Sequence, residues 1–93
     1  FLPTTEATAA VALWAFATLG LERLKVMAAT DNQPSLRVIR KIGFTREGVL
    51  RRAQRLPGRR RWFDWVIASI IRPELRRVRP KLARLCGRRR PWE

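Results

Sequence analysis

From Ala7 to Leu19 the chain is rich in Ala, Leu, Trp and Phe and holds no charged residue. Thr4 or Thr5 can cap this segment, and Glu6 places negative charge in its first turn. The pattern predicts a helix packed on more than one side, with Gly20 at its C-terminal end. From Leu21 to Ala29 the apolar period shortens to two. Leu24, Val26 and Ala28 share one face of a strand and Arg23 and Lys25 the other, although Met27 breaks the polar side. Asp31-Asn32 is turn and cap chemistry, and Pro34 is tolerated in a first helical turn. Leu36, Ile39 and Ile42 then recur at helical spacing, Arg40 and Lys41 complement the C-terminal dipole, and Gly43 ends the helix.

Phe44 to Leu56 reads as an irregular strand, with Val49 and Ala53 on one face and Gly48 permitting a bulge. Pro57-Gly58 marks a turn, and Trp62 to Ile71 is a second, strongly apolar strand. The two are expected to pair as an antiparallel hairpin. After Pro73 the composition changes: residues 73–93 hold eight basic and two acidic residues. Leu75, Val78, Leu82 and Leu85 keep a helix-like spacing, but Pro80 interrupts it, and Arg88 to Arg90 is a short basic run. The expected order is helix, strand, helix, antiparallel hairpin, basic tail. This is an α+β class, with a domain over residues 1–72 and a solvated tail over 73–93 whose removal leaves the core intact.

A length of 93 residues is room for one small domain, and a hydrophobic share of 46% excludes a disordered chain. The charge changes the picture more. Lys and Arg number 21 against 7 Asp and Glu, a net +14, which favours anionic partners without choosing among phosphates, nucleic acid and acidic lipid. The single Cys86 excludes an intramolecular disulfide, and the lack of His leaves no usual zinc ligand set, so no metal is expected. Ala7 to Leu19 is too short to span a bilayer and lacks a signal peptide's basic start, so a cytoplasmic protein with no membrane partner is expected. The chain opens on Phe1, as a fragment or a processed product would.

The order of elements and the residues at their joints resemble the C-terminal half of a GNAT-superfamily N-acetyltransferase. The likeness is greatest to the branch that includes the ribosomal-protein N-terminal acetyltransferases. The segments that carry it are Thr5-Glu6-Ala7, Phe16, Leu21-Glu22-Arg23-Leu24, Asn32-Gln33-Pro34-Ser35, Lys41-Ile42-Gly43-Phe44 and Glu47-Gly48-Val49-Leu50-Arg51, with Asp64 in the last strand. The resemblance implies transfer of acetyl from acetyl-CoA, a cosubstrate, to a primary amine such as a protein N-terminus, an amino sugar or a small amine. The amine attacks the thioester directly, without a covalent enzyme intermediate. It further implies that the pyrophosphate rests on the helix N-terminus at Thr4-Thr5, that Asn32 bonds the pantetheine arm, and that Ser35 lies near the thioester sulfur as a candidate proton donor. The family's glycine-rich loop precedes Thr-Glu-Ala. Here Phe1-Leu2-Pro3 stands at its last positions, with Leu2 where a glycine would admit phosphate. Many relatives place a Tyr four residues beyond Ser35, where this chain has Ile39. Most of the loop, the oxyanion donor and the acceptor loops belong to the other half of the family fold. An inactive isolated fragment is therefore expected, as is self-association through an open strand edge.

Taken without the resemblance, the same residues have plainer uses. Thr5 and Asn32 are helix caps, and Ser35 is a first-turn helix residue. Glu6, Glu47 and Asp64 are a helix-start charge and partners for arginines, and Cys86 is incidental. Trp62, Phe63 and Trp65 beside Arg59 to Arg61 suit stacking on single-stranded nucleic acid, yet a half-buried strand favours core packing for them. The competing function is a non-catalytic basic RNA- or ribosome-binding module, supported by the +14 charge and opposed by the ordered motifs.

Overall fold

The computed structural model describes residues 5–55, 57–58 and 60–87. Thr4, the segment Phe1-Leu2-Pro3 and the run Arg88 to Arg90 lie outside them. The elements are α1 (Thr5–Leu19), β1 (Arg23–Ala29), α2 (Gln33–Ile42), β2 (Thr45–Arg55) and β3 (Trp62–Ile71), then a 3-10 turn (Arg72–Glu74) and α3 (Leu75–Cys86). The three strands form one antiparallel sheet in the order β1-β3-β2.

Strand periodicity sorts the side chains of the sheet. Leu24, Val26 and Ala28 face Ile70, Ala68 and Val66 across the β1–β3 ladder. Ala28, Val66, Ala68 and Ile70 are buried, and Ala28, Ala68 and Ile70 form one hydrophobic cluster with the helices. The alternate positions form an outer face, where Met27, Leu50 and Ile71 remain exposed. Among the described residues β1 is bonded on one side only, by β3.

Helix α1 turns Ala9, Ala10, Ala12, Ala15 and Phe16 inward while Val11 and Leu19 stay in solvent. Its alanines leave room for another helix backbone, and α3 packs there. Helix α2 is amphipathic, burying Ile39 and Ile42. It ends at Gly43, whose φ of 103° lies in the left-handed region and whose N–H donates to the Ile39 carbonyl at 3.3 Å. A side chain there would have to adopt that strained backbone and would meet Val78 of α3 at 3.5 Å.

The expected hairpin forms, with two irregularities. Arg46 pairs with Ala68 and Gly48 with Ile67, so Glu47 is an extra residue on β2. This bulge puts the Glu47 carboxylate within reach of two donors: Arg23 Nη2 at 2.6 Å and the Ser69 hydroxyl. The Ser69 hydrogen bond, followed by the Arg23 bond and charge, holds the Glu47 carboxyl below its usual 4.5. At the same end of the sheet, Glu74 accepts from Ile71 N–H at 2.9 Å, Thr45 Oγ1 at 3.0 Å and Arg77 Nη2 at 3.2 Å. The Ile71 N–H bond is the main reason that its carboxyl is also held low.

Two expectations need correction. The segment from Pro73 is not a solvated tail over its described part. Leu75, Val78, Leu82 and Cys86 are buried in the same cluster as α1 and the sheet. Pro80 does not stop the helix, because it sits at an exposed position and the bond it forfeits is to the carbonyl of exposed Arg76, which water can satisfy. Core packing also fails for Trp62, which is 42% exposed, and neither Phe63 nor Trp65 joins the core cluster. The end of the hairpin extends past the helices that would cover it.

Leu82→Ala should therefore cost about 2–5 kcal/mol of stability in urea unfolding. Arg84→Ala, two residues along the helix and exposed, should cost no more than about 0.5 kcal/mol. Equal small losses would mean that α3 is dispensable. Glu47 gives a second prediction. Its folded pKa is depressed, so its contribution is complete above the unfolded value near 4.5 and is lost as pH falls through the lower folded value. Thermal melts should show a margin of wild type over Glu47→Gln that is constant above about pH 5 and narrows at more acid pH. A margin independent of pH would contradict the ion-pair account.

Candidate functional site

Of the residues singled out in the sequence, Thr5 opens α1, and Asn32 and Ser35 stand at the start of α2. Asn32 is the N-cap of α2, and its side-chain oxygen accepts from the Ser35 N–H at 3.3 Å. The turn before it is closed by Asn32 N–H donating to the Ala29 carbonyl at 2.9 Å. Leu36 N–H then bonds the Asn32 carbonyl at 3.0 Å, so the residue is fixed at both main chain and side chain. Pro34, in the first turn, removes a donor that the helix could not have used. Ser35 is buried, at 3% exposure, which keeps its hydroxyl in a low-dielectric setting rather than in bulk water. Thr5 is the first described residue of α1 and is half-buried. Thr4 cannot be placed, since it lies outside the described residues.

Thr5 meets α2 across a cleft of about 400 Å³, lined with it by Pro34, Arg37, Val38, Arg40 and Lys41. The lining holds three cationic side chains and no carboxylate. The first turn of α1 adds the partial positive charge of a helix N-terminus. An anion entering this cleft would meet a helix end on one wall and guanidinium and ammonium groups on the other. One turn further along α1, an apolar groove of about 190 Å³ runs between Ala7, Val11, Ala12 and the β1 side chains Leu24 and Val26. The two depressions place a cationic surface next to an apolar one.

The cations of the cleft are the part that sequence reading missed. Arg40 and Lys41 are explained there as partners of the helix dipole, and Arg37 is not singled out. The signal was present: Pro34, Arg37, Val38 and Lys41 recur at helical spacing, as a stripe beside the Leu36-Ile39-Ile42 stripe. Ile39, at the position where many GNAT relatives carry a Tyr, is a core residue at 5% exposure, and its carbonyl accepts from both Gly43 and Phe44. It takes no part in the site. The described residues contain no group of three or more His, Cys, Asp or Glu suited to a metal, and no helix long and apolar enough to cross a membrane.

Known proteins of similar sequence and structure share this fold. The family model for the acetyltransferase (GNAT) domain matches residues 4–45, from the start of α1 to the start of β2. Over 69 residues the chain is 36% identical to YoaA of Bacillus subtilis (strain 168), named an uncharacterized N-acetyltransferase; the alignment covers 74% of this chain and 38% of YoaA. A GCN5-related N-acetyltransferase from Brucella melitensis superposes with a TM-score of 0.77 at 25% identity, over 90% of this chain and 37% of that protein. Mycobacterium smegmatis RimJ, solved in complex with CoA-disulfide, superposes with a TM-score of 0.71 at 28% identity, over 90% of this chain and 40% of RimJ. The chain thus spans about two fifths of the length of these relatives. The matching family model, the related sequence and the shared α+β architecture together establish that this chain belongs to the GNAT acetyltransferases.

Proposed function

We propose that the chain supplies the acetyl-CoA-binding portion of an N-acetyltransferase that acetylates a primary amine, a protein N-terminus being the acceptor class favoured by the resemblance to ribosomal-protein N-terminal acetyltransferases. The observation that carries this reading is the cleft between the first turn of α1 and the Arg37–Lys41 face of α2. CoA is a polyanion with an uncharged pantetheine arm. A cationic cleft beside an apolar groove suits both parts of it. Acetyl-CoA brings an activated acyl group; the chain's own residues bind and orient it. In this reading Thr5 and the α1 terminus receive the pyrophosphate, and Arg37, Arg40 and Lys41 the remaining phosphate charge. Asn32 fixes the arm through its amide NH2, since its side-chain oxygen is engaged by Ser35 N–H. Ser35 stands at the start of α2, where a hydroxyl can give a proton to a leaving thiolate. The acceptor site and the oxyanion donor fall to the portion of the domain beyond these residues, so the 93 residues alone should show no turnover with any amine.

Titration calorimetry on the chain tests the phosphate assignment. CoA should bind and pantetheine, which has no phosphate, should not. Arg37→Gln and Lys41→Gln should each weaken CoA by about two- to fivefold, the range of an exposed charge contact. Equal affinity for CoA and pantetheine, or indifference to both substitutions, would remove the cleft from the proposal.

Asn32 and Ser35 are tested in a polypeptide that carries the remaining portion of the domain. Asn32→Asp keeps the helix cap but replaces the amide donor with a carboxylate. It should leave the melting temperature nearly unchanged and weaken acetyl-CoA binding by at least ~0.5–1.5 kcal/mol. Ser35→Ala should lower kcat more than it changes affinity. If Asn32→Asp binds acetyl-CoA as wild type does, Asn32 is a cap and nothing more.

A further inference from the structure

The far end of the hairpin is built unlike the rest of the molecule. Every residue from Val49 to Arg55 is exposed, so this part of the ribbon serves no core. Leu50 pairs with Trp65 and Gln54 with Phe63, so β2 advances four residues while β3 advances two. Arg52 lies within that insertion with a φ of 50°, a left-handed backbone that non-glycine residues seldom adopt. Its N–H donates to Asp64 Oδ1 at 2.8 Å, which holds the insertion in place. The result is a cluster of rings and guanidiniums. The Cζ atoms of Arg52 and Arg55 lie 5.5 Å and 5.7 Å from the centroid of the Trp62 ring, and that of Arg61 lies 4.8 Å from the Phe63 ring.

This cluster is not neutralised. Among the described residues, Arg61 pairs with Asp31, while Arg51, Arg52, Arg55 and Arg60 form no ion pair. Two of these guanidiniums, on Arg52 and Arg55, lie over an indole that is 42% exposed, and Arg51 and Arg60 add charge to the same end of the hairpin. A small anion or an acidic peptide would use the cations and leave the indole without a role. A single-stranded polynucleotide would use both, with its phosphates on the arginines and a base stacked on Trp62 or on a guanidinium plane. The cluster also differs from the CoA cleft in composition, because the cleft holds cations but no aromatic ring.

We propose that the β2–β3 hairpin end, centred on Trp62 with Arg51, Arg52, Arg55 and Arg60, is a docking surface for single-stranded nucleic acid. It shares no residue with the acetyl-CoA site and does not depend on that assignment. Binding should tolerate changes of sequence, because every base has a stacking face.

The test is fluorescence anisotropy of the 93-residue chain with a labelled 12-nucleotide single-stranded RNA and its DNA counterpart, between 50 and 200 mM salt. Parallel titrations use polyglutamate and vesicles containing anionic lipid. Both oligonucleotides should bind, with affinity falling steeply as salt rises. Trp62→Ala should weaken binding about tenfold, and Trp62→Phe, which keeps a ring, should restore most of the loss. Arg55→Gln should reduce the salt slope by about one. Arg84→Gln, which removes one charge from α3, should change affinity by less than about threefold. The proposal is overturned if Trp62→Ala binds the oligonucleotides as wild type does, or if Trp62→Phe fails to rescue. It is equally overturned if polyglutamate or the vesicles show the same dependence on Trp62, which would make the surface one for an acidic protein or a membrane.

Discussion

Burial of the inner face of β3 is the interaction on which the remaining structure depends. β3 is the central strand, so β1 and β2 both take their register from it, and neither is bonded to the other. Its residues Ala68 and Ile70 have no exposed surface, and the cluster around them draws in α1, α2 and α3. The helix ends that form the cleft are placed by this packing. Thr5 is set by how α1 lies on the sheet, and Arg37 and Lys41 by how Ile39 and Ile42 of the same helix are buried. Among the described residues no second core exists to take over that work.

Charge is distributed by scarcity. The chain has 21 basic side chains and only 7 acidic ones. The acidic residues stand at the joints. Glu22 meets Arg72 where β1 and β3 run side by side, Asp31 meets Arg61 where the hairpin returns to the α2 cap, and Glu47 joins β2 to β1 and β3. Asp64 holds the insertion at Arg52, and Glu74 ties β2 and the end of β3 to α3. Most of these pairs are exposed, so each contributes little to stability and more to the choice of geometry. Five of the seven carboxylates are engaged in this way. Many of the remaining cations face solvent, among them those on the α2 face of the cleft, at the end of the hairpin and along α3.

Much of this was legible beforehand, and particular residues show why. The α2 cap at Asn32, its Pro34 and its Gly43 stop are local devices; each needs only neighbouring backbone to act, and each appears in the structure as expected. The bulge permitted by Gly48 occurs beside it, at Glu47. Local reasoning failed at α3, where Pro80 was weighed as a break. A proline costs a helix little when the carbonyl it leaves unpaired faces water, and exposure of that turn is set by which side α1 covers. It failed again at Trp62, whose apolar strand suggests a core that does not extend that far.

By itself the sequence determined the type and order of the elements through β3, the helix caps, the pairing of the hairpin and the acetyltransferase resemblance. These follow from periodicities and cap residues that act within a few positions along the chain. Only the tertiary structure decided that α3 belongs to the core, that Arg37 and Lys41 face Thr5 across a cleft, and that Trp62 stands in solvent among arginines. Each of these depends on which surfaces of distant segments meet, and burial of a side chain is a property of that meeting rather than of the residue.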